Sequence, residues 1–283
     1  MDIPSRAVFT AVDGILLDPV TLDSSAIRTP LRRLQSAGVP VVPVTVMTLE
    51  EIEPIARELG FRDAMIIEAG GAIARWSGSR WDVEECGPAA DTLLDVIREI
   101  EELSGAGLLV YSALPAAEAA LLSGRSGEIL RRSTRRCFSE PFVIESGDVE
   151  KVAQAAASLG FSIRRGRTFF HLRRACDEGK AFLCLREELR CEAAIALGGT
   201  PVDAEFLSRA DIAIVVPSAE GTPDAELLAN VPAARIAPFP GPAGWAAAIH
   251  EVWPEIVSRS RTRNHRSASA RPARTHEASR VDL

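Results

Sequence analysis

Three polar residues lie just beyond apolar runs of the chain. Asp13 comes directly after Ala7–Val12, Thr45 after Val39–Val44, and Asp203 a few residues after Ala193–Leu197. A carboxylate can transfer protons or bind a metal ion, and a hydroxyl can hold an anion. Parallel strands deliver functional loops at their carboxyl ends, so we expect these side chains to meet in one crevice.

Lysine is the next residue type of interest, because Lys151 and Lys180 are the only lysines in a sequence rich in arginine. Lys180 is the one considered further. It lies at the predicted start of a helix, where a cation opposes the helix dipole unless an anion is near. A compact ammonium in that place favours an anion-binding role. The alternative is an ordinary solvated lysine, just as Thr45 is alternatively a β-branched residue at a strand end.

These residues require elements that position them, and the chain supplies an alternating pattern. Strands are predicted near residues 7–12, 41–46 and 64–67, with helices near 24–37 and 48–59, and the pattern returns after residue 172. Such alternation is typical of parallel βαβ units. The fold class predicted is α/β, with a doubly wound parallel (Rossmann-like) core.

The middle of the chain interrupts this pattern. Residues 83–171 mix predicted helices (90–102, 149–159) with strands (108–111, 142–145, 168–172). We therefore divide the chain into a first core half (1–82), an inserted α/β cap (83–171), a second core half (172–257) and a basic tail (258–283). The tail has almost no aliphatic residues and is expected to be disordered. Its arginines could bind an acidic partner or nucleic acid, or could simply be solvated.

The segment Ala7–Asp18 resembles the first motif of the haloacid-dehalogenase superfamily, an apolar strand ending in Asp-x-Asp-Gly-Thr-Leu-Leu-Asp. The resemblance implies that the nucleophile belongs at Ala11, that Asp13 holds the acid/base position, and that Ile15 replaces a threonine. Only a carboxylate can form the covalent aspartyl-phosphate, and alanine cannot. Making Asp13 the nucleophile would put Ile15 at the acid/base position, so a shift of register does not rescue the chemistry.

A second loss falls in the segment Leu197–Asp203, which resembles the family's Gly-Asp-Ser-x-Asn-Asp motif. The family binds magnesium there, and the resemblance implies that Gly199 replaces the principal metal carboxylate and Val202 the asparagine. Asp203 and the backbone carbonyl of Asp13 would be the remaining ligands. Magnesium takes one or two protein carboxylates directly, so we expect its binding to be weak or absent.

Other segments carry the same resemblance. Thr45 and Lys180 fit the family's phosphate-binding residues, Lys180 within a stretch resembling Asp-Lys-Gly-Lys-Ala. The turn Glu68–Ile73 resembles that of Cof-type members, with Ala69 in place of asparagine. Segments at 138–142, 166–172 and 237–245 resemble the mannosyl-3-phosphoglycerate phosphatase family, which implies a phosphorylated sugar or glycerate ligand; the cap segments could equally be packing residues.

Composition restricts the kinds of partner and the location to be expected. A net charge of −7 and a pI near 5.3 argue against a nucleic-acid-binding core. No run of about 18 apolar residues appears, so we predict no membrane contact and a cytoplasmic protein. Five cysteines without a Cys-x-x-Cys pair favour reduced thiols.

Three functions remain open at this point. The resemblance alone implies a phosphatase, and because four site positions depart together we expect it to be inactive or severely impaired. The alternatives are a non-catalytic protein that binds a phosphorylated ligand or a partner, and an active phosphomonoesterase with an atypical mechanism.

Overall fold

The computed structural model describes residues 6–257 except residues 20, 88, 175 and 176. The basic tail predicted for 258–283 lies outside these residues. Within the described part of the chain, no helix is both long and apolar enough to cross a membrane.

Twelve strands are described, numbered along the chain: β1 Arg6–Ala11, β2 Val41–Val44, β3 Ala64–Ile67, β4 Ala72–Trp76, β5 Trp81–Glu85, β6 Gly107–Val110, β7 Glu140–Ser146, β8 Phe161–Arg165, β9 Phe170–Arg174, β10 Ala193–Gly198, β11 Ile212–Val215 and β12 Arg235–Ile236. The helices are α1 Arg28–Ser36, α2 Leu49–Leu59, α3 Ala90–Ser104, α4 Ala116–Ser123, α5 Gly127–Ser133, α6 Val149–Ser158, α7 Asp177–Glu188, α8 Ala204–Leu207, α9 Ala225–Asn230 and α10 Gly241–Val257.

The larger sheet has the order β12-β11-β10-β1-β2-β3-β4-β5. Its first six strands are parallel. The edge strand β12 is exposed, and the near-continuous Val, Ile, Leu and Ala content of the other five follows from burial on both faces by helices. The last two strands form an antiparallel hairpin that the sequence pattern did not predict. The predicted doubly wound α/β core is therefore confirmed, with this hairpin added at one edge.

The strand order reverses at β1, which lies between β10 and β2. Ala11 pairs in register with Val44, and Thr10 pairs with Leu197, so the carboxyl ends of the three strands lie side by side. Ligands of open α/β sheets bind in the crevice at such a switch point.

The smaller sheet, order β6-β7-β9-β8, is antiparallel and is formed by the middle of the chain. Phe142 and Leu172 pack with Leu93 and Ile97 of α3 and Val152 of α6 in a separate apolar cluster. This confirms the predicted α/β cap, although β8 was not predicted.

Candidate functional site

Asp13 and Thr45 are in direct contact at the switch point. Thr45 Oγ1 donates a hydrogen bond of 3.0 Å to Asp13 Oδ2, and the Met47 amide donates to the same hydroxyl over 3.1 Å. Thr45 is buried, while about a third (33%) of the Asp13 side chain is exposed. The loops after β1 and β2 thus bring together two residues that are distant in the sequence.

Ala11 ends β1 and is buried. The position that the superfamily resemblance assigns to the nucleophile therefore carries a methyl group that packs into the apolar core around β1. Nothing at this position can attack a phosphoryl group.

Asp203 reaches the site but is held by its own loop. Its Oδ2 accepts from the amides of Gly199 (2.8 Å) and Thr200 (2.9 Å) and from the Thr200 hydroxyl (3.2 Å). Burial raises the pKa of Asp203 to about 6, against the opposing effect of these donors, and nearby Asp13 raises it further. This carboxylate serves the turn that begins the short helix at Pro201–Asp203.

The residues present do not fit a magnesium ion. Ala11 and Gly199 lack oxygen ligands in their side chains, and one Asp203 oxygen already accepts three hydrogen bonds. Among the described residues, no group of three or more histidine, cysteine or acidic side chains is arranged to hold a metal. The predicted ligands Asp13 and Asp203 are both at the crevice, without the remainder of an octahedral set.

Lys180 and Glu178 lie in different environments. Lys180 is exposed on α7, and among the described residues no hydrogen bond or ion pair joins it to Asp13, Thr45 or any other group. Glu178, two residues earlier, is 1% exposed and faces the core. In the Asp-Lys-Gly-Lys-Ala pattern that this stretch resembles, Glu178 stands at the first lysine.

Glu178 belongs to a buried cluster of charges with Arg173 and Glu205. Arg173 Nη1 donates to Glu178 Oε2 over 3.3 Å, and Arg173 Nη2 lies 3.2 Å from Glu205 Oε1. Burial raises the pKa of Glu178 to about 8; Arg173 opposes this rise, and Asp203 and Glu205 add to it. A buried acidic residue paired with Arg173 thus lies where the family pattern has a cation.

Two arginines of the cap reach the loop after β1. Arg125, between α4 and α5, places Nη2 3.6 Å from Asp13 Oδ1 and Nη1 2.7 Å from Glu51 Oε1, the latter an ion pair by distance without hydrogen-bond geometry. Arg167, between β8 and β9, lies so close over Gly14 that a Cβ there would collide with its guanidinium. Burial raises the pKa of Glu51, and Arg125 opposes that rise.

Glu68 fastens the cap to the core beside this crevice. Its carboxylate accepts hydrogen bonds from the amides of Cys137, Phe138 and Ser139 and from the Ser139 hydroxyl, at 3.0 to 3.2 Å. Arg136 contributes from the cap by donating to the Val46 carbonyl over 2.5 Å. The cap is therefore seated over the switch point by buried polar contacts.

Of the residues singled out in the sequence, Asp13, Thr45, Ala11 and Asp203 lie at or just beyond the carboxyl ends of neighbouring strands, and no described contact joins Lys180 to them. Glu178 and Arg125 were not singled out, and Glu68 and Arg167 appeared only within segments that carry the family resemblance. The signal for Glu178 was present, because the aligned pattern has lysine at both the second and fourth positions. Arg125 gave no signal, since arginine is abundant throughout the chain, whereas Arg167 lies in the segment 166–172 that resembles the mannosyl-3-phosphoglycerate phosphatase family.

Comparison with known proteins adds independent findings. No protein-family model matches the chain. A glucosyl-3-phosphoglycerate/mannosyl-3-phosphoglycerate phosphatase of Persephonella marina is 27% identical over 270 residues, which cover 88% of this chain and 97% of the relative. The protein of the same description from Methanococcoides burtonii is 26% identical over 263 residues, covering 87% and 96%.

Solved structures share the fold. A phosphatase of the haloalkanoate (HAD) superfamily from Bacteroides thetaiotaomicron superposes with a TM-score of 0.64 at 16% identity, covering 88% of this chain and 94% of that one. A sugar phosphatase of HAD subclass IIB gives a TM-score of 0.62 at 14% identity, covering 89% and 100%.

The core and the cap have the haloacid-dehalogenase fold, which is shared with phosphatases of that superfamily, among them a subclass IIB sugar phosphatase. Within that group the chain is homologous to the glucosyl-3-phosphoglycerate/mannosyl-3-phosphoglycerate phosphatases.

Proposed function

We propose that this chain is a non-catalytic homologue of these phosphatases that binds a phosphorylated sugar acid without magnesium. The observation that carries the proposal is the convergence of Arg125 and Arg167 on the Asp13–Gly14 turn, beside positions where nucleophile and metal ligand are both absent. The crevice has lost the residues that would cleave a phosphate ester and has cations suited to holding one. We retain the cytoplasm as the predicted location.

The catalytic part of the proposal follows from the chemistry of the missing groups. Removing a covalent nucleophile costs on the order of a millionfold in rate, and Ala11 offers no substitute. The buried Glu178 also takes the place of a cation that would attract the phosphoryl oxygens. Asp13 thus holds the acid/base position of the family, but no nucleophile is present whose reaction it could assist.

Anion binding is supported by the state of the two arginines. Arg167 is exposed, and no hydrogen bond or salt bridge joins it to another residue in the described part of the chain, although Glu220 lies within electrostatic range. Arg125 keeps its Nη1 on Glu51 at 2.7 Å, whereas its Nη2 lies 3.6 Å from Asp13, so an incoming anion can compete for the Nη2 side of the guanidinium. The planar guanidinium group matches phosphate and carboxylate oxygens in pairs.

The ligand class comes from the relatives. Their names describe substrates that carry a phosphate and a carboxylate on one glycerate unit. Two arginines at one crevice match two anionic groups, so we propose a glycosyl-phosphoglycerate or a similar phosphorylated sugar acid. The hydroxyl of Thr45 provides a neutral donor beside them.

The test is a thermal-shift titration with glucosyl-3-phosphoglycerate and with inorganic phosphate, in the presence of EDTA. A ligand at one hundred times its dissociation constant stabilises a protein by about 2.7 kcal/mol, which is readily measured. We expect wild type to shift and Arg167→Ala to shift much less. Lys180→Ala is the matched control, because it removes one exposed positive charge from a residue without described contacts.

Three outcomes would contradict parts of this proposal. No shift in wild type would leave only the fold in common with the relatives. Loss of the shift in Lys180→Ala, with Arg167→Ala unaffected, would restore the sequence-based assignment of the anion site to Thr45 and Lys180. Turnover of the ligand by purified wild type, abolished by Asp13→Asn, would favour an active phosphomonoesterase with an atypical mechanism.

A further inference from the structure

Ile15, in the loop after β1, is a buried apolar residue. It is 3% exposed and belongs to the main apolar core, together with Leu16, Leu17 and Val216. The superfamily pattern has a threonine here, so a polar residue of the phosphoryl site has become a core residue.

Gly199 faces this side chain across the switch point. A Cβ built on Gly199 would lie 2.8 Å from Ile15 Cδ1 and 2.9 Å from the Val216 carbonyl oxygen. Both distances are shorter than carbon atoms tolerate. Gly199 therefore lacks a side chain in the place where the family's principal metal carboxylate begins, and Ile15 fills the adjoining volume.

We infer that Ile15 is an apolar plug in the former metal pocket, so that the packing of the core, and not only the loss of two carboxylates, excludes magnesium. An aspartate restored at position 199 would be forced against an isoleucine methyl group. It would also be desolvated without a cation to offset its charge, which is unfavourable. Ligand restoration and removal of the plug are consequently coupled.

This inference concerns the metal pocket and does not depend on the proposed anion binding. The anion test is made in EDTA and is read out at Arg167, which belongs to the cap. The metal test is read out at residues 11, 15 and 199 of the core. Either can fail while the other holds.

The experiment compares four forms: wild type, Ile15→Thr, Ala11→Asp/Gly199→Asp, and Ala11→Asp/Ile15→Thr/Gly199→Asp. Melting temperature is measured in EDTA and in millimolar MgCl₂, and Mg²⁺ binding is followed by titration calorimetry. We expect MgCl₂ to stabilise the triple variant alone. Ile15→Thr by itself is the control for the cavity that shortening this side chain creates.

Equal stabilisation of the Ala11→Asp/Gly199→Asp variant, which keeps Ile15, would overturn the inference, as would stabilisation of wild type or no response in the triple variant. If the double variant does not fold, Gly199→Ala replaces it in the experiment, since the Cβ of an alanine at this position is enough to contact Ile15. Gly199→Ala should then lower the melting temperature more in the wild-type background than together with Ile15→Thr. Equal losses in the two backgrounds would also overturn the inference.

Discussion

Glu178 and Lys180 illustrate what a sequence motif leaves undecided at the scale of a residue. Both lie in the first turn of α7, and two residues on a helix differ in direction by about 200°. A shift of two positions therefore exchanges a buried side chain for an exposed one. The motif predicted a role for Lys180, whereas in the structure Lys180 is exposed and Glu178 is the buried residue of this turn.

Glu178 gives a prediction for the pH dependence of stability. Burial raises its pKa from the ordinary value of 4.5 to about 8, so the folded state holds a proton that the unfolded state releases. Stability from this group is fully present below pH 4.5 and is lost as the pH rises towards about 8. Asp203 adds a slope of the same sign between pH 3.8 and about 6. His171, whose pKa burial lowers from 6.5 to about 3, contributes a slope of the opposite sign below pH 6.5. The fall due to Glu178 should therefore be visible in urea unfolding between pH 6.5 and about 8.

Glu178→Gln should flatten that dependence between pH 4.5 and 8, because the amide does not ionise. Glu118→Gln, at an exposed position of α4, is the control and should retain the wild-type slope. An unchanged slope in Glu178→Gln would mean that this carboxyl group titrates normally in the folded protein.

Ala11 gives a prediction for activity. Wild type should have no measurable magnesium-dependent phosphatase activity, and Ala11→Asp alone should restore none. The new carboxylate would face Asp13 and Asp203 without a metal ion to offset their mutual repulsion. Release of phosphate from glucosyl-3-phosphoglycerate measures this directly, and turnover by the single variant would show that the other losses are tolerated.

At the scale of elements, the turn at Glu68–Gly70 departs most from ordinary geometry. Its three residues have φ values of +49°, +56° and +87°, and Gly70 approaches the backbone of Glu178 too closely for any side chain. Left-handed backbone costs a non-glycine residue about 1–2 kcal/mol. The amides that the cap presents to Glu68 offset this cost, which explains how the turn persists with Ala69 at its centre.

Glu68→Gln tests the strength of that contact. The amide group keeps the size of the side chain but removes the charge and turns one acceptor into a donor, which leaves buried N–H groups unpaired. Hydrogen bonds to charged groups contribute about 1.5–3 kcal/mol, so we expect a loss of stability of about that size in urea unfolding. Glu99→Gln, exposed on α3, is the control and should change stability little.

The strands and helices were largely predictable where their apolar patterns are uninterrupted. The strands near β1, β2, β3, β10 and β11 and the helices α2, α3 and α6 were expected from apolar periodicity. The hairpin β4–β5 and strand β8 were not, because charged residues interrupt their apolar patterns and each strand depends on pairing with a neighbour. Local sequence carries little information about such pairing.

At the scale of the whole molecule, ion pairs join the cap to the core. Arginines of the cap meet carboxylates of the core at Arg125–Glu51, Arg135–Glu50, Arg164–Glu205 and Arg165–Asp224. A net charge of −7 gives no hint of this arrangement. Cap contacts of the site therefore could not be predicted from composition.

The tail provides a prediction at this scale. Residues 258–283 lie outside the described part of the chain, and their composition offers almost no aliphatic surface to bury. Deleting them should leave the free energy of unfolding unchanged. A large fall in melting temperature on truncation would mean that the tail packs against the protein.

The contact between Ile15 and Gly199 also constrains the evolutionary history of the chain. A carboxylate regained first at position 199 would collide with the isoleucine, and a threonine regained first at position 15 would leave a hole in the core. Either single reversion is therefore expected to lower the stability of the protein without giving an activity on which selection could act. The loss of catalysis that we propose would therefore be difficult to reverse by single substitutions.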